Sequence, residues 1–278
     1  MMSEFTLAIV QLVSTSDIEH NLARVEHWVA EAANGGAQLV LLPENFALFE
    51  SKRSLDIGAA EADAEGPIRR FLAGLARRFG VWIIAGSLPC AQRPDGASID
   101  GRVRSACWVF DDSGATVARY DKIHLFDVDV KDAYGAYRES AIFEPGEQVV
   151  VIATPWIRIG LSICYDLRFP ELFRAMAEQG AELMTVPSAF TYVTGEAHWE
   201  TLLRARAIEN QVYIAAANQG GCHSESRRTY GHSMVIDPWG KVVACLEEGE
   251  GVILSTLDKA KLQDVRTSMP VLAHRRLK

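Results

Sequence analysis

The chain has 278 residues, 49% hydrophobic and 23% charged, enough apolar material for a large core. Its formal net charge is −8 and it has no basic run, which argues against nucleic acid as a partner because that needs a positive face. The five cysteines (Cys90, Cys107, Cys164, Cys222, Cys245) are widely spaced with no Cys-x-x-Cys pair, so neither a disulfide framework nor a zinc site is expected, and a cytoplasmic home is. The start MMSEFTLAIVQL lacks a basic segment and no run of about 20 apolar residues follows, so no signal peptide or membrane span is expected.

Phe5 to Leu12 alternates and reads as a first strand. Asp17 can cap a helix with Ile18, Leu22, Val25, Trp28, Val29 and Ala32 on one stripe, ended by Gly35 and Gly36. The apolar run Ala37 to Leu42 reads as a strand covered on both faces, with Glu44 just beyond its carboxyl end. Residues 51–66 read as a loop or short irregular helix. Pro67 opens a helix closed by Gly80, and Val81 to Ser87 is another buried strand. Val103 to Phe110 and Ala115 to Lys122 pair as a hairpin through Asp111 to Gly114. Residues 124–147 show no clean periodicity and are expected as a long loop, a kind that is usually functional. Val149 to Ala153 and Ile157 to Ile163 are strands, and the second runs into Cys164. Pro170 then opens a helix terminated by Gly180. A strand at Ala181 to Ser188 follows, then a helix from Glu196 to Asn210 with Trp199, Leu202, Leu203, Ala207 and Ile208 inward. A strand at Val212 to Ala217 leads to a hairpin around Asp237 to Gly240, a last strand at Gly251 to Leu257, and a short charged helix. No linker divides the chain, so residues 1–278 read as one domain. Strands alternating with helices, plus hairpins, suggest an α/β fold with helices on the outer faces of its sheets, an α-β-β-α layering.

Three charged or reactive residues fall where strands end or loops begin. Cys164 lies on a turn between strand and helix, where outward-pointing backbone N–H groups can receive an oxyanion. A buried cysteine acting as a small hydrophobe is the other reading of that position. Glu44 ends a buried strand, the usual place for site residues in α/β folds, and Lys122 enters the long loop. Physically the three fit together. Glu44 can take the proton of the thiol, and Lys122 with the backbone N–H of Tyr165 can hold a developing oxyanion.

LPENF around Glu44, YDKIHLFDVDV around Lys122 and GLSICYDLRFPEL around Cys164, in that order, resemble the carbon–nitrogen hydrolases of the nitrilase superfamily across essentially the whole chain. The resemblance implies a four-layer-forming α-β-β-α sandwich of two mixed sheets that pairs into a homodimer or a higher homo-oligomer. It also implies a second glutamate after the lysine, matched here by Glu139, positioning substrate or Lys122. It implies a cofactor-free reaction of a small-molecule amide and water: attack by Cys164, loss of ammonia, and hydrolysis of a thioester. IHLFDVDV, YRES and the tail VRTSMPVLAHRR most resemble the amidases of 2-oxo acids, deaminated glutathione being favoured over 2-oxoglutaramate, with carbamoylases and aliphatic amidases as alternatives on the same triad. These substrates are anionic, so a pocket cation is expected from Arg168, Arg138 or Lys122. Residues 126–138 and Thr191 to Glu196 are expected as pocket walls, with Thr191 and Glu196 as substrate-side residues.

Other groups favour simpler readings. His124, His198, His223 and His232 lack ligand spacing, and His124 belongs to the lysine motif. Arg206 and Glu209, at i,i+3 spacing on the helix that also carries Arg204, are expected to pair internally, and Asp166 to shape the turn of the nucleophile. Gly220-Gly221 lacks a dinucleotide-binding pattern. A non-enzymatic protein with Cys164 as an oxidisable thiol is the reading from another class.

Overall fold

A computed structural model of the chain describes residues 4–50, 53–63, 66–130, 132 and 135–277. In chain order these hold β1 (Glu4–Gln11), α1 (Ile18–Asn34), β2 (Leu39–Leu41), α2 (Ser54–Ala60), α3 (Pro67–Phe79), β3 (Trp82–Ile84), β4 (Leu88–Cys90), β5 (Arg104–Phe110) and β6 (Thr116–Asp121). There follow β7 (Asp127–Asp129), β8 (Ala136–Arg138), β9 (Val151–Ala153), β10 (Arg158–Leu161), α4 (Pro170–Glu178), β11 (Leu183–Thr185), α5 (Tyr192–Asn210) and β12 (Tyr213–Ala216). The chain ends with β13 (Ser233–Ile236), β14 (Val242–Leu246), β15 (Gly251–Asp258) and α6 (Lys259–Ser268).

One mixed sheet runs β15-β1-β2-β3-β5-β4, with β6 on β5, and a second runs β14-β13-β12-β11-β10-β9. The period-2 alternation of β1 sorts its side chains between two cores. Phe5, Leu7 and Ile9 join Leu39, Leu41 and Ile84 against Ile159, Leu161, Leu183 and Tyr213 of the second sheet. Ala8 and Val10 join Val40 and Ile83 against Val25, Val29, Leu72 and Ala76 of α1 and α3. On the second sheet, Gly160 faces α4 so closely that an added Cβ would lie 2.6 Å from the Met176 sulfur. The layers are therefore helix, sheet, sheet, helix, as expected.

Local signals explain most boundaries. The Asp17 carboxylate accepts from His20 N–H at 3.1 Å, Pro67 and Pro170 open their helices, and Gly80 closes α3 in the left-handed region at φ 64°. Three readings need correction. Within 124–147 the chain is not wholly loop, since β7 and β8 pair as a hairpin whose three-residue strands are too short for a periodic signal. Helix α5 begins at Tyr192, not Glu196. Its first turn (Tyr192, Val193, Thr194, Gly195) has poor helix propensity and follows a Thr191 cap, and Gly195 is there because a Cβ would lie 2.2 Å from the Tyr230 side chain. Ile208 faces outward, 45% exposed, because Trp199, Leu203, Arg206, Ala207 and Asn210 form the buried stripe. Residues 51–66, expected as a loop or short irregular helix, hold the short helix α2, with residues 51, 52, 64 and 65 outside the described set.

Candidate active site

Glu44 follows β2 on a segment pinned from three sides. Gly86 approaches so closely, at φ 51°, that any Cβ there would lie 2.0 Å from the Pro43 carbonyl oxygen. Asn45 takes φ 59° and donates its N–H to Ser87 Oγ at 3.0 Å. The Gln219 amide, from the second sheet, donates to the Glu44 carbonyl at 2.9 Å. These contacts hold the Glu44 carboxylate, 5% exposed, over the carboxyl end of its strand.

Lys122 leaves β6 with its own N–H bonded to Ser105 O at 2.9 Å, and its side chain is 2% exposed. Its Nζ donates at 2.9 Å to Glu44 Oε1 and at 2.9 Å to both oxygens of Glu139. Burial alone would lower the lysine pKa, but the Glu139 and Glu44 carboxylates outweigh it and hold it well above the usual range. Glu139 stands on a short 3-10 turn after β8, and its Oε2 also accepts the Phe126 N–H at 2.6 Å. Burial and the nearby Glu44 raise the Glu139 pKa, against the lowering effect of Lys122.

Cys164 adopts φ 49° between β10 and a 3-10 turn, Cys164–Arg168, that leads into α4. A non-glycine residue in this region carries strain that its surroundings must enforce. The enforcing group is Asp166, which is wholly buried. One of its oxygens accepts from Ile163 N–H at 2.8 Å and Tyr120 OH at 2.6 Å; the other accepts from His124 N–H at 3.0 Å and meets His124 Nδ1 at 2.7 Å. Cys164 N–H donates to Pro187 O at 2.9 Å, and the Arg206 guanidinium donates to Leu167 O at 3.1 and 2.8 Å. Burial, and then the Glu44 charge, push the Cys164 thiol well above its usual range, while Lys122 and the Ala189 N–H work the other way. At rest the sulfur therefore carries its proton beside an acceptor carboxylate.

These residues form the floor of a cavity of about 500 Å³. Phe126, Tyr137, Tyr165 and Phe190 form its aromatic walls, and Thr194, Arg168, Arg138 and Arg227 also line it. Arg168 lies over the Phe190 ring at 5.2 Å and reaches His198 Nδ1 at 3.2 Å, with burial lowering its pKa. The expectations for the walls need correction. Thr191 is buried as the cap of α5 and Glu196 is exposed on the helix surface; Thr194, one turn in, reaches the cavity. Arg138 lines the cavity but pairs with Asp129 at 2.7 Å, and Lys122 is held by two glutamates, so neither is well placed to bind a substrate carboxylate. Of 126–138, residues 131, 133 and 134 lie outside the described set. Arg206 pairs with Glu209 at 2.9 Å as expected, in addition to holding the nucleophile turn. Among the described residues no cluster of metal-ligating side chains occurs, and no helix is long and apolar enough to cross a membrane.

The sequence model of the carbon–nitrogen hydrolase family matches residues 6–267. The chain belongs to this family. Similar to this carbon–nitrogen hydrolase is the deaminated glutathione amidase of Yersinia enterocolitica, 46% identical over 99% of this chain and 94% of that one. Nit3 of Saccharomyces cerevisiae, a member of branch 10 of the nitrilase superfamily, superposes with TM-score 0.88 at 32% identity, covering 100% of this chain and 98% of that one. An amidase from Nesterenkonia sp. AN1, solved with acrylamide added at its active-site cysteine, superposes with TM-score 0.77 at 30% identity, over 97% of this chain and 99% of that one.

Sequence reasoning missed Gln219 and Arg227 of this carbon–nitrogen hydrolase, whereas Phe126 was included in an expected wall. Gln219 and Arg227 lie in the segment between β12 and β13, far from the three motifs, and only the packing of the two sheets brings Gln219 against the Glu44 carbonyl and Arg227 to the cavity. Phe126 lay within a stretch expected as wall, but nothing in its spacing distinguishes it from its neighbours.

Proposed function

We propose that this carbon–nitrogen hydrolase is an amidase that hydrolyses deaminated glutathione through a thioester on Cys164. The observation that carries the reading is a buried thiol beside Glu44, with Lys122 locked between Glu44 and Glu139, on the floor of a cavity whose walls carry Arg168 and Arg227. The name of the Yersinia relative supports the choice of substrate.

In the proposed reaction Cys164 Sγ attacks the amide carbon as its proton passes to Glu44. Because the thiol is held protonated, transfer accompanies attack instead of preceding it. Lys122, kept charged, and the Tyr165 N–H receive the oxyanion, and Glu139 keeps the lysine aimed. Collapse breaks the C–N bond as Glu44 returns the proton to the departing amine. Water then gives a proton to Glu44 and its oxygen to the thioester carbon, and the thiol leaves with that proton. In deaminated glutathione the amide nitrogen belongs to cysteinylglycine, so the leaving group is a dipeptide amine; ammonia release, expected above, belongs to 2-oxoglutaramate. Arg168, the last residue of the nucleophile turn and part of the cavity lining, would take the carboxylate of the 2-oxo acid.

A redox-sensing role fits poorly, since burial and the Glu44 charge oppose the thiolate that oxidation requires. A homodimer of single-domain chains in the cytoplasm completes the reading. The test supplies purified protein with deaminated glutathione, 2-oxoglutaramate, an N-carbamoyl amino acid and a simple aliphatic amide. Preferential release of cysteinylglycine supports the proposal. Preference for 2-oxoglutaramate retains the mechanism and changes the substrate; preference for either of the others removes the oxo-acid reading.

A further inference from the structure

We propose that Arg104 is a positioning residue of this amidase, a bridge that fixes the contact between Lys122 and Glu139 from outside the cavity. The inference rests on the reading of Lys122 as an oxyanion donor aimed by Glu139, and it adds what holds those two residues in register. Arg104 is buried on β5, and among the described residues it is not part of the cavity lining. Its guanidinium takes two carboxylates at once. Nη1 donates to Asp121 Oδ2 at 3.1 Å, while Nε and Nη2 donate to Glu144 Oε1 at 3.0 and 2.6 Å.

Each carboxylate belongs to a segment that carries a site residue. Asp121 immediately precedes Lys122, and Glu144 follows the 3-10 turn that bears Glu139. The two segments also meet through their backbones. Gly146 N–H donates to Lys122 O at 2.8 Å, and a Cβ added at Gly146 would lie 2.2 Å from Asp121 O. Val103, next to Arg104, donates to Ile142 O at 3.0 Å and accepts Glu144 N–H at 2.8 Å, while Phe143 N–H closes the turn on Glu139 O at 2.8 Å. The contact of Lys122 Nζ with Glu139 at 2.9 Å therefore depends on how residues 139–146 lie against the ends of β5 and β6, and Arg104 is the charged tie across that seam.

The neighbouring arginines do not duplicate this bridge. Arg93 and Arg102 reach Glu144 and Arg119 reaches Asp121, whereas Arg104 reaches both. Hydrogen bonds from Arg93 and then Arg104 lower the Glu144 pKa to about 2, so that end of the tie stays charged near neutral pH. A guanidinium presents its N–H donors in a rigid planar fork, so it sets the spacing of the two carboxylates, which a lysine ammonium on a flexible stem does not. Misplacement of a reacting group by about 1 Å can cost about 100-fold in rate, so the setting of this seam bears directly on turnover.

The test is a double-mutant cycle on kcat, run with whichever amide of the panel above the protein turns over fastest and with folding checked by circular dichroism. Arg104→Met is expected to lower kcat about 10–100-fold while KM changes by less than about threefold. Glu139→Gln lowers kcat as well, and in that background Arg104→Met costs less than about threefold, because the contact it sets is already lost. An arginine that only stabilises the fold would give the same fold-loss in both backgrounds. Arg104→Lys, which keeps the charge without the fork, shows the same non-additivity at smaller amplitude and serves if the methionine variant does not fold. Unchanged kcat in folded Arg104 variants, or an equal loss in both backgrounds, overturns the role of Arg104 and leaves the roles of Lys122 and Glu139 intact. Undiminished kcat in Glu139→Gln overturns the aiming of Lys122 and the inference with it, and absence of turnover on every amide in the panel removes the proposed function as well.

Discussion

In the reaction proposed above, Cys164 keeps its proton until the carbonyl arrives. Burial and the Glu44 charge raise its pKa, so the carboxylate beside it is the only base it needs. Cys164→Ala is expected to abolish amide turnover while leaving the circular dichroism spectrum and the thermal midpoint close to those of the parent, since the change removes one polarizable atom from a cavity floor. Lys122 is different in kind, because it neutralises two glutamates. Lys122→Met leaves the carboxylates of Glu44 and Glu139 facing each other without a counter-charge, and urea unfolding should show a loss of about 3–5 kcal/mol. Adding Glu139→Gln to that variant should restore part of the loss; a loss below about 1 kcal/mol for Lys122→Met would contradict the account. All three positions were legible in the sequence because each sits at a strand end within a local motif.

The turn from β10 to α4 shows how an element enforces a strained residue. Asp166 takes four contacts from Tyr120, His124 and Ile163, and its carboxylate supplies two acceptor atoms for them. Asp166→Asn offers only one acceptor atom and places an amide donor against a donor. The nucleophile should then lose its placement, with kcat falling about 100-fold and KM changing much less. A selective rise in KM would point instead to a role in binding. The sequence showed that Asp166 shapes this turn, but not that Arg206 holds it from α5. Arg206 and Leu167 are 39 residues apart, and no local period records such a contact.

Across the whole molecule, polar side chains tie the two sheets together near the cavity. Gln11 on β1 accepts from Ser233 N–H at 2.9 Å, Gln219 donates to Glu44 O, and His223 reaches from the loop after β12 to Ser14 beyond β1. His223 makes this junction pH-sensitive. Burial lowers its pKa from 6.5 to about 4, so between those values the unfolded chain binds more protons than the folded one. Global stability should therefore fall as pH drops from about 6.5 towards 4, and chemical unfolding of His223→Gln should show a shallower slope in that window. An unchanged slope would assign the acid sensitivity to other groups.

The sequence alone determined the α-β-β-α class, most strand and helix boundaries, and the positions of Glu44, Lys122 and Cys164 at strand ends, while Glu139 was implied only by the family resemblance. Apolar periodicity, caps and short motifs are local properties that survive without tertiary contacts. The tertiary structure decided what those contacts create. β15 returns to pair with β1 along eight residues, a closure that periodicity does not encode. The early start of α5 depends on a glycine fitted against Tyr230, and the outward turn of Ile208 on which stripe of that helix the core takes. Thr191 and Glu196 lost their place at the cavity, and Arg227 gained one, because a side chain's neighbours across a cleft are set by how two sheets pack, not by spacing along one chain.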